Sequence, residues 1–306
     1  MATGELSIRN QESITWRNYY EMTKPKIILL IAFTALVGML LSTPGIVPWQ
    51  PLLFGLAGIS LAAASGAVVN HIIDQRIDAL MARTSRRPIP SGKMDTPHAV
   101  TFALLLGVLS MLLLGTLVNL LTAALTFLAL IGYAFIYTLY LKRSTPQNIV
   151  WGGIAGAAPP LLGWCAITNS VPMEAFLLLL IIFIWTPPHF WPLAIHRRDE
   201  YARANVPMLP VTHGIRFTKQ QVLLYSLMLL AVSLMPFVIH MSGYLYLVGA
   251  LLLGGGFVYH AFVLWRGEGR QHAMKTFGYS IFYLSMLFAL LLTDHYLVLL
   301  FPVLGA

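Results

Sequence analysis

His98-Ala-Val-Thr-Phe-Ala-Leu-Leu-Leu-Gly-Val-Leu-Ser-Met-Leu-Leu-Leu-Gly-Thr-Leu117 is a run of twenty residues without one charged side chain. That is the length at which a helix crosses the roughly 30 Å of bilayer hydrocarbon. Apolar runs of this kind recur along nearly the whole chain. Nine spans are expected, over residues 26–43, 51–70, 98–117, 119–140, 147–167, 173–195, 220–240, 243–265 and 276–300. The composition agrees: 58% of the 306 residues are hydrophobic and only 10% are charged, too few to cover a soluble surface. The runs are continuous and do not alternate as barrel strands do. The expected fold is therefore all-α, a polytopic membrane bundle of about nine transmembrane helices around a central cavity.

Orientation follows from the basic residues, which are retained on the cytoplasmic side. Under this span map all nineteen Lys and Arg fall on one side, giving a cytoplasmic N-terminus and an outside C-terminus. The same asymmetry accounts for the net charge of +8 without nucleic acid. Residues 1–24 contain Glu5, Glu12 and Glu21 and no apolar core, unlike a secretory signal or an acid-poor transit peptide. They read as a cytoplasmic lead-in with an interfacial helix around Ile14–Glu21. A single intramembrane domain follows over 25–306. Cys165, the only cysteine, falls inside a span, so no intrachain disulfide forms.

Polar residues concentrate in two inside loops, about 71–97 and 196–219. Each begins where an apolar helix runs into acidic residues: Asn70-His-Ile-Ile-Asp74-Gln-Arg-Ile-Asp78 in one, Ile195-His-Arg-Arg-Asp199-Glu200-Tyr201 in the other. Each then passes through basic residues to closely spaced prolines, Pro88 and Pro90 or Pro207 and Pro210. The likeness hints at an internal duplication around one cavity. On a continued helix Asn70, Asp74 and Asp78 form one polar stripe. His189, His196 and Glu200 share a face of the second helix, with Asp199 beside it. Pro187 and Pro188 are expected to kink that helix. Gly152-Gly-Ile-Ala-Gly-Ala-Ala-Pro159-Pro160 reads as another broken element, tolerated in a membrane where it lines a cavity.

Carboxylates at a membrane boundary are costly unless hydrated, paired or bound to a cation. Two acidic clusters beside Arg-rich segments suit Mg²⁺ and a polyanion, because magnesium takes oxygen ligands and bridges carboxylates to phosphate. Guanidinium groups take the remaining phosphate charge. Such a head site above an apolar cavity suits a diphosphate carrying a hydrocarbon tail, a prenyl diphosphate. Magnesium and arginine favour departure of diphosphate, where negative charge grows.

The motifs also carry a resemblance. Asn70-x3-Asp74-x3-Asp78 is similar to the first acidic motif of the UbiA-type intramembrane prenyltransferases. Four longer stretches resemble the heme O synthase (protoheme IX farnesyltransferase) branch of that superfamily. They are the continuation through Met81-x-Arg83-Thr84-x2-Arg87-Pro88; Tyr137-Thr138 with Leu141-Lys142-Arg143-x-Thr145-Pro146; Gly156–Trp164; and Trp185-Thr186-Pro187-Pro188-His189-Phe190-Trp191 with Pro207-Met208-Leu209-Pro210. The second acidic motif departs from the superfamily's Asp-x3-Asp and reads His196-x3-Glu200, which leaves open whether Asp199 or Glu200 takes the metal-side position.

The resemblance implies Mg²⁺-dependent transfer of farnesyl from farnesyl diphosphate to a vinyl group of heme B, with addition of water. The product is then heme O, destined for a downstream heme A synthase or terminal oxidase assembly. It assigns Asn70, Asp74, Asp78, Asp199 and Glu200 to catalysis, the four acids among them to metal, and Arg83, Arg87, Lys142 and Arg143 to diphosphate. His189 is the first candidate for heme contact, with His196 and His71 behind it. A bacterial inner membrane is the implied location. Two other readings use the same residues: prenyl transfer to a quinone precursor or another acceptor, and a heme transporter. A solvated helix end accounts for acids at Asn70–Asp78, and topology alone accounts for a basic loop. The ordered motifs, not the residue types singly, favour the site.

Overall fold

The structure is a computed structural model and describes residues 14–300; residues 1–13 of the expected lead-in and 301–306 of the intramembrane domain lie outside the described residues. The chain is all-helical. A short helix α1 (Trp16–Met22) precedes α2 (Pro25–Leu41) and the long α3 (Trp49–Leu80). Then come α4 (Thr96–Leu117), α5 (Leu120–Ser144), α6 (Asn148–Thr168) and α7 (Met173–His196). Two short helices, α8 (Arg198–Arg203) and α9 (Leu209–Thr212), cover the inner end of α7. The chain finishes with α10 (Gly214–Val238), α11 (Tyr244–Arg266) and α12 (Ala273–Leu300).

Among the described residues eight helices are long and apolar enough to cross a membrane, and nine if α1 and α2, bent by 53° at their junction, count as one. The first expected span, 26–43, is that α2. Lys24 makes the bend in a left-handed conformation at φ 55°. The expected interfacial helix is α1, whose Trp16 and Tyr20 stay exposed while Met22 is buried. Helix starts follow local chemistry: the Asp95 carboxylate accepts from His98 N at 2.9 Å ahead of α4, and the Asn119 side chain accepts from Thr122 N at 2.8 Å ahead of α5.

Helices sort by how much of them faces protein. Only 17% of the apolar window of α4 is buried, against 67% for α6. Leu104, Leu105, Val108 and Leu112 of α4 point outward, as lipid-facing side chains do. Helix α6 is wedged against α2, α3, α5 and α7, and α12 returns to pack on both α7 and α2, closing the bundle. Glycine permits the tightest of these contacts: a Cβ on Gly38 would lie 2.0 Å from the Pro160 carbonyl oxygen, and one on Gly163 2.1 Å from that of Ala35. Small residues let membrane helices pack backbone to backbone.

The expected break in α6 falls at Ala158, between helical segments Asn148–Ala157 and Pro159–Thr168, and leaves both within one span. Helix α7 runs without interruption through Pro187, Pro188 and Pro192, and Thr186 Oγ1 donates to the Ile182 carbonyl just before the prolines. The second half of α5, Gly132–Leu141, is π-helical, which the sequence reading did not anticipate. Such wide turns are rare and gather at functional sites.

Candidate active site

Helix α3 does not stop where its apolar run ends. It continues ten residues further, to Leu80, and so carries Asn70, Asp74 and Asp78 on one buried stripe. Met81 and Thr84, both buried, then fold the chain back: the Thr84 hydroxyl donates to the Asp78 carbonyl at 3.0 Å. This turn returns Arg87, whose Nη1 lies 2.6 Å from Asp78 Oδ2. The Met-x-Arg-Thr-x2-Arg spacing is therefore a fold-back that pairs the last acid of the stripe with an arginine nine residues on.

The π-helical half of α5 brings the second wall. Within it the Thr138 hydroxyl also donates to the Tyr133 carbonyl at 2.8 Å, and the segment sets Tyr133, Thr138 and Lys142 toward α3. Lys142 Nζ donates to Asp74 Oδ2, which also accepts from Asn70 Nδ2 at 2.8 Å. Thr138 Oγ1 lies 3.5 Å from Asn70 Nδ2. Gly152 of α6 makes room for the Tyr137 ring, which a Cβ there would meet at 2.1 Å. Lys24, at the α1–α2 bend, completes the group by donating to Asn70 Oδ1 at 2.6 Å. The sequence marks Lys24 only as one of the nineteen topology charges, and no motif singles it out.

The second acidic motif is split. Glu200 turns inward and pairs with Arg197 at 3.1 Å, whereas Asp199 turns outward to a two-oxygen contact with Arg270 Nη2 at 2.8 and 2.9 Å. Arg270 holds the Asp199 carboxyl below the usual carboxylate range, chiefly by that hydrogen bond. The two adjacent acids thus make different pairings, the half-buried Glu200 with Arg197 and the exposed Asp199 with Arg270. Tyr201 joins the motifs: buried, it packs with Ile77 and Met81 at the end of α3, and Arg83, Arg87, Arg197 and Glu200 are the charges acting on it. Burial raises its hydroxyl pKa above the ordinary value, so it stays a neutral donor. Arg83 is exposed but lies among Tyr201, Arg87, Arg197 and Asp78. Arg143 is exposed and reaches the Ile73 carbonyl at 3.3 Å.

The histidines fare differently. The His189 ring stacks between Trp185 at 4.1 Å and Phe277 at 4.7 Å, and its Nδ1 lies 2.6 Å from Ser280 Oγ. Both faces are thus occupied by protein, and the ring locks α7 to α12. His196 is exposed at the end of α7. The sequence predicts heme contact for both; the structure gives His189 a packing role between α7 and α12 and leaves His196 at the surface.

Below the charged group lies an apolar cavity of about 160 Å³. Lys24 stands at its polar end, Ile59, Ala63, Ala67 and Tyr133 form its sides, and Leu162 lies at its far wall. One buried carboxylate oxygen of each acidic motif, Asp74 Oδ1 and Glu200 Oε2, has no hydrogen-bond partner among the described residues. Those residues include no group of three or more His, Cys, Asp or Glu side chains close enough to hold a metal by themselves. A site with oxygen donors in twos and cations around them suits an ion that shares its shell with phosphate and water.

Known proteins resemble this chain in sequence and in fold. The sequence model of the UbiA prenyltransferase family matches residues 31–291. A relative from Thioalkalivibrio sulfidiphilus, named protoheme IX farnesyltransferase, is 63% identical over 296 residues, 97% of this chain and 98% of its own length. One of the same name from Nitrosococcus oceani is 60% identical, covering 92% of this chain and 94% of its own. Among solved structures, one described for digeranylgeranylglyceryl phosphate synthase in membranes superposes with a TM-score of 0.77 at 18% identity, covering 91% of this chain and 98% of that one. A UbiA homolog from Archaeoglobus fulgidus bound to GPP and Mg²⁺ gives 0.62 at 14% identity, over 90% of this chain and 99% of that one. The match over most of its length and the shared fold show that this chain belongs to the UbiA prenyltransferase family.

Proposed function

We propose that the protein transfers a farnesyl group from farnesyl diphosphate to a vinyl group of heme B, with addition of water, giving heme O and diphosphate. The observation that carries the donor half is the stripe Asn70, Asp74 and Asp78, ringed by Lys24, Arg87 and Lys142, at the polar end of an apolar cavity. The heme acceptor is supported by the relatives named protoheme IX farnesyltransferase at 63% and 60% identity.

Asp74 Oδ1 and Glu200 Oε2, without a hydrogen-bond partner among the described residues, offer hard oxygen donors, so the acids fit Mg²⁺ whose shell is completed by phosphate and water: Asp74 and Asp78 would hold it from the first motif, Glu200 would reach it through a water, and Asp199 is left to Arg270. When bound, magnesium supplies positive charge to the departing diphosphate. Lys24, Arg87 and Lys142 supply more, and Arg83 and Arg143 stand at the entrance as further diphosphate contacts. Asn70 holds Lys24 on one side and Asp74 on the other, so donor and acid keep a common register. As the C1–O bond breaks, its electron pair leaves with diphosphate. The apolar walls keep water from C1 while the vinyl π electrons form the new carbon–carbon bond. Water then adds to the porphyrin-stabilised cation and gives up a proton.

The orientation that fits is a cytoplasmic N-terminus and charged site, an outside C-terminus, and a bacterial inner membrane. The test is mass spectrometry of hemes from cells lacking and expressing the protein. Appearance of heme bearing a hydroxyethylfarnesyl group only on expression is expected; an unchanged heme profile overturns the reading.

A further inference from the structure

His71 is the one histidine of helix α3, and only 2% of its surface is exposed. Neither ring nitrogen has a hydrogen-bond partner among the described residues. A buried imidazole always carries at least one N–H, and leaving both nitrogens unpaired is costly. Such a group in a well-packed helix calls for a reason.

Its position supplies one. Ala67, His71, Asp74 and Asp78 recur at i, i+4, i+7 and i+11, a single stripe of the helix. Ala67 lines the apolar cavity and Asp74 and Asp78 form the acidic stripe. His71 therefore lies where the cavity meets the charged end. Lys24 bonds Asn70, the residue before His71, and Arg87 bonds Asp78 of the same stripe, so both cations reach the face of α3 that His71 shares. Those two cations flank the carboxylates through Asn70 and Asp78 and have capacity for a further anion. A buried N–H on a face that also carries two cations is well matched by an anionic oxygen.

We infer that His71 binds the donor's diphosphate directly, its ring N–H donating to a phosphate oxygen held between Lys24 and Arg87. The inference rests on the prenyl diphosphate reading above and adds a contact that no acidic or basic motif supplies. His71 thereby senses the head group at the point where the tail enters the cavity.

The test uses the full-length protein in detergent with magnesium, and inorganic pyrophosphate as the probe. His71→Ala is expected to weaken pyrophosphate binding in calorimetry about tenfold, the size of one hydrogen bond to a charged acceptor. It should raise KM for farnesyl diphosphate by a similar factor and leave heme B affinity unchanged. His71→Gln, which keeps a donor, should recover most of the loss. His71→Leu should bind pyrophosphate as weakly as the alanine variant while keeping or raising the Tm. Wild-type pyrophosphate affinity in the alanine and leucine variants overturns the assignment, as does a loss of heme affinity alone. If the wild-type protein itself fails to bind pyrophosphate with magnesium, the underlying donor reading fails as well; if it binds and the variants match it, only the role of His71 is lost.

Discussion

Asp74 is the residue on which the chemistry turns. One of its oxygens takes both Lys142 and Asn70, while the other is buried with no partner among the described residues. Asp74→Ala should leave a membrane-inserted, folded protein and lower heme O formation on the order of 10²–10³-fold, as losing a charge-stabilising group does. Turnover assays on purified variant would expose the error if activity were retained. The second motif makes a sharper test because its two acids point apart. Glu200→Gln should cost about 10–100-fold in turnover. Asp199→Asn should cost no more than a few-fold, since an exposed pair such as Asp199–Arg270 contributes little. Equal losses in the two variants would mean that Asp199 reaches the site after all.

At the scale of the element, two devices place these side chains. One is the π-helical half of α5, which re-phases the helix so that Thr138 and Lys142 both meet α3. Gly152 leaves space for the Tyr137 ring within it. Gly152→Ala should therefore lower kcat by up to about 100-fold through misplacement of Lys142, with a smaller effect on Tm; equal kcat at unchanged Tm would detach the π-helix from catalysis. The other is the contact of α2 with α6, where Gly38 faces the Pro160 carbonyl and Gly163 that of Ala35. Both helices line the cavity. Gly38→Val should destabilise by about 1–3 kcal/mol or more through overpacking, read as a fall in Tm in detergent.

For the whole molecule, the charge asymmetry and the bundle make one statement about sidedness. All nineteen Lys and Arg belong to the side that bears the acidic stripe under the span map. Reporter fusions should place the N-terminus in the cytoplasm and the C-terminus outside; the reverse would put the site on the wrong face for the proposed donor. Removing divalent ions with a chelator should abolish prenyl transfer and added magnesium should restore it, whereas activity without divalent ions would leave the cations alone to handle diphosphate.

Helical class, the number of spans to within one, and the acidic stripe were legible in the sequence, because bilayer thickness and backbone hydrogen bonding leave a twenty-residue apolar run one solution. The same periodicity put Asn70, Asp74 and Asp78 on one face. Lys24, the inward turn of Glu200 against the outward turn of Asp199, the stacked burial of His189 and the π-turn of α5 were not legible. Each depends on which neighbour a side chain finds across the bundle, and adjacent residues of one helix differ in direction by about a third of a turn. Sequence spacing determines that difference but not which direction meets the cavity. That was decided by packing: Gly38, Gly152 and Gly163 allow neighbours close enough to set the rotation of α2, α5 and α6.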